Sequence, residues 1–132
     1  MKIFYIIKYG IRDAYYNVKW FFQRGFKGYC DCDVFDVQGW FVTIMPKMLR
    51  EFSKNLHGWP DYYFDTYEDW KDCLERMAIL CERGSMDYFL DNAEKDSLEY
   101  TLEEYEKADR EAEKNKDMFF EMFSKYFYNL WD

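Results

Sequence analysis

Residues 28–40, GYCDCDVFDVQGW, place Cys30, Asp31, Cys32, Asp33 and Asp36 within seven consecutive positions, ahead of the chain's one histidine, His57. Such a cluster is either a metal or redox centre or the start of a helix, and the fold follows from the choice. Zinc sites use cysteines separated by two to four residues and close a tetrahedral set of four ligands. Cys30 and Cys32 have a single residue between them. Cys73 and Cys81 lie eight residues apart, roughly 12 Å along a helix axis, and cannot share an ion. His57 could join Cys30 and Cys32 only through the fold. Helix-start chemistry accounts for the acids directly. Asp33 at an N-cap accepts from the backbone of Asp36, and Asp31, Asp33 and Asp36 suit the positive end of the helix dipole. The stretch is read as a helix start.

From there the helical pattern extends in both directions. Upstream, Ile7, Ile11, Ala14, Val18, Phe21 and Phe22 recur at three- and four-residue steps, predicting a helix over roughly 2–24 that ends at Gly25 and Gly28. Downstream, a helix from about Asp33 to Leu56 shows Val37, Trp40, Phe41, Ile44, Met48 and Phe52 on one side. Pro46 is expected to kink it. HGWP at 57–60 stops it, with Gly58 in the left-handed conformation and His57 bonding the last carbonyls. Thr66 and Asp69 form a capping box for a third helix bearing Trp70, Leu74, Met77 and Cys81, closed at Gly84.

A loop or short helical turn follows. Ser97 is then placed to cap a fourth helix with Leu98, Leu102 and Tyr105 on one side. Residues 106–117, EKADREAEKNKD, within the acidic segment 85–117, read as a solvated helix rich in i,i+4 charge pairs, with a mobile arm as the alternative. Met118, Phe119, Met122, Phe123, Tyr126, Phe127, Leu130 and Trp131 close the chain with a broad apolar stripe. The fold class is all-α: one domain over 1–132, a bundle of four to five helices with a long acidic C-terminal helical region.

At 132 residues the chain can bury a core without a metal or disulfide scaffold. Thirteen Tyr, thirteen Phe and five Trp exceed the needs of that core, so some are expected at the surface as a contact patch. Net charge is −8, which opposes sustained nucleic-acid or anionic-membrane binding. Residues 1–60 hold nine Lys/Arg against five Asp/Glu, and 61–117 hold eight against nineteen. A basic front and an acidic back can attract, within the domain or between copies. No stretch reaches the length and apolarity of a membrane span. The opening MKIFYIIKYG lacks a cleavage site after its apolar run and reads as mature sequence. Four cysteines suggest reduced thiols in a cytosolic setting.

No catalytic residue, metal ligand or cofactor is assigned. Asp31, Asp33 and Asp36 lack the register of a cation loop. Cys73 and Cys81 read as small buried residues, and phosphate-loop and nucleophile-elbow patterns are absent. Lys19, Arg24 and Lys27 interleave with Trp20, Phe21, Phe22 and Phe26, a mixture able to stack on bases. The acidity of the domain argues against that use, and Arg24 and Lys27 suit a helix C-terminus.

The stretches RGFKGYCDCDVFDVQGWFVTIMPKMLREFSKNLHGWP, YEDWKDCLERMAILCERG and FSKYFYNLWD together resemble a family of uncharacterised bacteriophage proteins. That pattern has an Arg-Gly-aromatic turn, an Asp-x-x-Asp helix start, His-Gly-Tyr-Pro (here HGWP, with Trp59) and a C-terminal Leu-Trp-Asp helix. The resemblance implies a phage protein in the bacterial host cytoplasm and carries no catalytic residues. The expected function is non-enzymatic: contact with a protein partner, host or phage, or with another copy. Trp20, Phe26, Trp59, Glu103, Glu104, Glu111 and Glu113 are the interaction surface. A sharper form is a host-defence antagonist whose acidic 94–117 segment imitates nucleic acid. The rival is a small-ligand or nucleotide binder or hydrolase with an inter-helix pocket using Asp33, Asp36, Arg50 and His57, with Arg50 as anion contact.

Overall fold

The computed structural model describes residues 2–91 and 100–131, with side chains from residue 9 onward. Among the described residues the chain is all-α, with no strand. The elements are α1 (Lys2–Lys27), α2 (Asp31–Phe35), α3 (Val37–Lys54), α4 (Tyr67–Glu82), α5 (Met86–Asp91), α6 (Leu102–Tyr126) and a 3-10 turn (Phe127–Asn129). They fall into two compact units, Met1–Trp40 and Phe41–Asp132, divided within the first turn of α3. The expectations for the Ile7 side chain, Ser97 and Leu98 lie outside the described residues.

In the first unit, α1 runs through Gly25 rather than ending there. Its stop is Gly28, whose φ of 81° places it in the left-handed region where a Cβ is penalised. The Gly28 N–H donates to Arg24 O at 3.0 Å, the single bond that closes a left-handed helix cap. The helix expected from Asp33 is two helices. α2 lasts five residues, and Asp36 breaks it with φ −139° and ψ 73° before α3 begins. Among the described side chains of this unit, Cys30 is the one buried hydrophobic residue.

The second unit holds the core. On α4, Trp70, Cys73, Leu74, Met77, Ala78, Leu80 and Cys81 are buried, one continuous helical face. Phe119 and Tyr126 of α6 and Leu49 of α3 join this cluster, and Phe41, Met45, Phe52, Phe64 and Phe123 pack around it. Aromatic rings interlock at two places. Phe64, Trp70 and Tyr126 lie 5.2–5.7 Å apart, and Phe119 meets Phe41 at 5.9 Å and Phe123 at 5.3 Å. Such rings bring large apolar area at low rotamer cost. The polar run 106–117 and the apolar C-terminal stripe belong to the single helix α6, where Ala108 and Ala112 turn inward.

Local chemistry sets the boundaries. Thr66 Oγ1 accepts from the Asp69 N–H at 3.2 Å while Asp69 Oδ2 accepts from the Thr66 N–H at 3.1 Å, so the expected capping box is present. Thr101 and Glu104 form a second box at the start of α6. α3 passes through Pro46, whose ring is buried, and ends at Lys54. Its stop differs from the expectation: Asn55 Nδ2 donates to Glu51 O at 2.8 Å, and Gly58 is not left-handed, Gly28 being the one glycine with positive φ among the described residues. Arg50 joins α3 to α4 by donating to Glu75 at 2.9–3.1 Å and to Glu82.

Phe119 tests the weight of this core, because it is 1% exposed. Phe119→Ala is expected to cost about 3–5 kcal/mol in urea denaturation. Phe120→Ala, on the neighbouring half-exposed ring, is expected to cost well under half as much.

Candidate functional site

The quoted stretch forms a tight turn against the last turns of α1. Lys19, Gln23 and Arg24 lie on one side of that helix, and each reaches the acids of α2. Lys19 Nζ donates to Asp31 Oδ2 at 2.9 Å and Gln23 Nε2 donates to the same oxygen at 2.8 Å. Gln23 Oε1 accepts from the Asp31 N–H at 3.0 Å. Arg24 grips Asp33 with two donors, Nη2 to Oδ1 at 2.7 Å and Nε to Oδ2 at 3.2 Å. The amide donor of Gln23 and the ammonium of Lys19 hold Asp31 below the usual carboxylate range. The Arg24 guanidinium, helped by the Cys30 N–H, does the same for Asp33.

Asp33 is therefore not the N-cap. It stands at the third helical position and accepts backward from the Cys30 N–H at 2.8 Å, with extended Cys30 as the capping residue. The capping task expected of Asp33 falls to Asp36, one helix later: its Oδ1 accepts from the Gly39 N–H at 2.8 Å. Gly39 leaves room for this cap, because a Cβ would stand 2.1 Å from Asp36 Oδ2 and displace the carboxylate.

Cys30 and Cys32 are joined as a disulfide with Cα atoms 5.4 Å apart, which corrects the expectation that all four cysteines are reduced. Cys73 and Cys81 are free and buried. Burial pushes their thiols up to about 11 and about 12, so they stay protonated and unreactive at neutral pH. Among the described residues the metal-capable cluster is Cys30, Cys32 and Asp33, with ligand atoms within 4.8 Å of one another. It fits a cation poorly. Both Asp33 oxygens are engaged, the Arg24 guanidinium sits 2.7 Å away, and a fourth ligand is missing from the cluster.

The other residues singled out from sequence serve mostly local roles. Asp33 and Asp36 belong to the first unit, and Arg50 and His57 to the second. Arg50 is held by two carboxylates, which keep it firmly charged and occupy the donors an anion would need. His57 is exposed beyond the end of α3. Trp20 is half-buried, with its ring 5.7 Å from Tyr16. Trp59 donates Nε1–H to Phe64 O at 3.2 Å and braces the turn after α3. Glu104 closes the α6 cap, accepting from the Thr101 N–H at 2.8 Å. Glu113 pairs with Lys116, while Glu103 and Glu111 are exposed. Phe26 is 88% exposed.

Two apolar surfaces were not legible as such. On α1, Ile11, Tyr15, Val18 and Phe22 are 55–67% exposed and follow one another at four, three and four residues, a single stripe. Phe26 continues it, and Lys19 and Gln23 border it, Lys19 four residues from Tyr15 and Gln23 three from Phe26. In the second unit an open groove of about 540 Å3 lies between α3 and the chain's end, lined by Met45, Met48, Phe52, Phe123, Phe127 and Trp131 among others. Met48, Phe127 and Trp131 are exposed there. No helix among the described residues is long and apolar enough to cross a membrane. Comparison with protein-family models, with curated proteins and with solved structures finds no match to the chain.

Two expectations follow from this geometry. Asp36→Ala should cost about 0.5–2 kcal/mol of stability through the lost cap. Gly39→Ala ordinarily gains about 0.5–1 kcal/mol inside a helix. Here the new methyl evicts the Asp36 carboxylate, so the gain is cancelled in the natural chain and reappears beside Asp36→Ala. Urea denaturation of the four proteins should give a coupling of about 1 kcal/mol, and strict additivity would refute the contact.

The acid side of the pH profile is also set. Asp31 and Asp33 have folded values below the ordinary 3.8, so their pairing stabilises the turn above 3.8 and is lost as pH falls through the depressed values. Hydrogen-exchange protection of the Cys30 and Asp31 amides, corrected for intrinsic rates, should stay flat from neutral pH down to the ordinary aspartate range and drop below it.

Proposed function

We propose that the protein is a non-enzymatic interaction protein whose working surface is the apolar stripe of α1, and that its first partner is a second copy of itself. The observation that carries the reading is the stripe: Ile11, Tyr15, Val18 and Phe22 stand exposed in register on a helix whose unit buries little apolar surface among its described side chains. An amphipathic helix gains stability chiefly by packing that face against another surface. The α3 groove supplies a complementary surface, because methionines and aromatics can repack around an incoming row of side chains.

Charge supports the same pairing. The first unit carries six Lys/Arg against four Asp/Glu, and the second twelve against twenty-two, so α1 of one copy meets a surface of opposite sign on another. In this reading the second unit is a small helical bundle with an acidic C-terminal helix, and the contact joins unlike surfaces, which builds rings or chains rather than a two-fold dimer. A bacteriophage accessory role in a host cytoplasm fits the family resemblance. Nothing in the geometry favours the hydrolase or ligand-binding alternative, whose acids and Arg50 are engaged in caps and ion pairs.

Light scattering coupled to size exclusion tests the proposal. The natural chain should grow in mass with concentration. Phe22→Asp on the stripe and Phe127→Asp in the groove should each reduce that growth, and an equimolar mixture of the two variants should recover a two-chain species, since each retains one intact surface. A natural chain that stays monomeric at every concentration would defeat the self-docking reading.

A further inference from the structure

We propose that Cys30 and Cys32 form a thiol–disulfide exchange site, with Cys32 as the reacting sulfur and Cys30 as the resolving one. The four cysteines divide by environment. Cys73 and Cys81 are buried in the α4 core and locked as thiols. Cys30 and Cys32 lie at a helix boundary beside charged groups and are already joined.

The two bonded sulfurs are not equivalent. Cys30 is 0% exposed, so an external reagent reaches it only when the turn opens. Cys32 is partly exposed, and its Sγ accepts from Arg24 Nη2 at 3.6 Å. A guanidinium donor favours the thiolate, which is the nucleophilic form. Asp33 Oδ1 lies 3.7 Å from the same sulfur and holds Arg24 in place beside it. The pairing of Asp33 with Arg24 and with the Cys30 N–H keeps the turn folded around the sulfurs.

The co-reactant is a low-molecular-weight thiol and its disulfide. In the oxidising direction the Cys32 thiolate attacks one sulfur of the external disulfide. A mixed disulfide forms at Cys32, and one thiolate leaves and takes a proton from water. Cys30 then loses its proton to water and attacks Cys32 Sγ. The Cys30–Cys32 bond forms, the mixed disulfide breaks, and the second thiolate leaves. Two protein thiols lose two electrons and two protons, and the external disulfide is reduced to two thiols. The reverse sequence reduces the pair, entering at Cys32 because it is the sulfur within reach.

Glutathione in defined reduced-to-oxidised ratios serves as the probe, with alkylation and peptide mass mapping of the folded full chain as readout. The natural chain should interconvert between disulfide and dithiol without unfolding, while Cys73 and Cys81 stay unalkylated. Cys30→Ser should accumulate one glutathione on Cys32. Cys32→Ser should acquire it at Cys30 at least on the order of tenfold more slowly, as burial dictates. Arg24→Gln should slow modification of Cys32 several-fold, with partial rescue by Arg24→Lys. A disulfide that yields to thiols only once the chain is unfolded would overturn the proposal. So would equal reactivity of the two single-serine variants, or stoichiometric zinc that blocks alkylation of both cysteines in the reduced chain.

Discussion

The structure depends on the burial of one face of α4. Trp70, Leu74, Met77 and Ala78 are essentially removed from water, and Phe119 of α6 closes over them. At about 25 cal/mol per Å2 of apolar surface, a ring the size of Trp70 or Phe119 outweighs any surface ion pair in the chain. The aromatic excess is what makes so small a unit feasible. Rings bring area with few rotors, and their edge-to-face contacts fix the relative setting of α4 and α6. Arg50 with Glu75 and Glu82 then clips α3 to α4 at the margin of that core, where half-exposed charges add orientation more than energy.

The first unit is built on different physics. Among its described residues it has charged and capped backbone but little apolar burial, and the one fully buried side chain there is a disulfide cysteine. Lys19, Gln23 and Arg24 on α1 take the acids of α2. The exposed apolar stripe runs beside Lys19 and Gln23, at three- and four-residue spacing from them. The stripe is open to solvent, while the turn holds two bonded sulfurs. The two proposals rest on different side chains of the same helix and stand or fall separately.

Much of the fold was legible in the sequence because local rules and tertiary packing agree there. Thr66 with Asp69, the buried spacing of Trp70, Leu74, Met77 and Cys81, and the stop at Gly28 are cases in which one side chain has one task. The errors cluster where the sequence offers several equivalent candidates. Asp31, Asp33 and Asp36 can all cap, and a three-residue offset between Asp33 and Asp36 lets two consecutive helix starts masquerade as one. Gly25 reads as a stop only because Gly breaks helices on average; with nothing packed against it, α1 passes through. Asn55, which sequence alone does not single out, supplies a terminating bond to Glu51 O at the end of α3. The Cys30–Cys32 bond escaped because four cysteines in 132 residues are too sparse to read as a disulfide framework, and a single bond between near neighbours leaves no such pattern.

The central claim is that the α4–α6 core is complete in itself, whereas the α1 stripe awaits a partner. Hydrogen–deuterium exchange, followed residue by residue at two widely separated protein concentrations, tests it most directly. The account predicts slow, concentration-independent exchange in the middle of α4 and around Phe119, and exchange over residues 11–26 that slows as concentration rises. Equal protection of α1 and α4 in the dilute chain, unchanged on concentration, would contradict it.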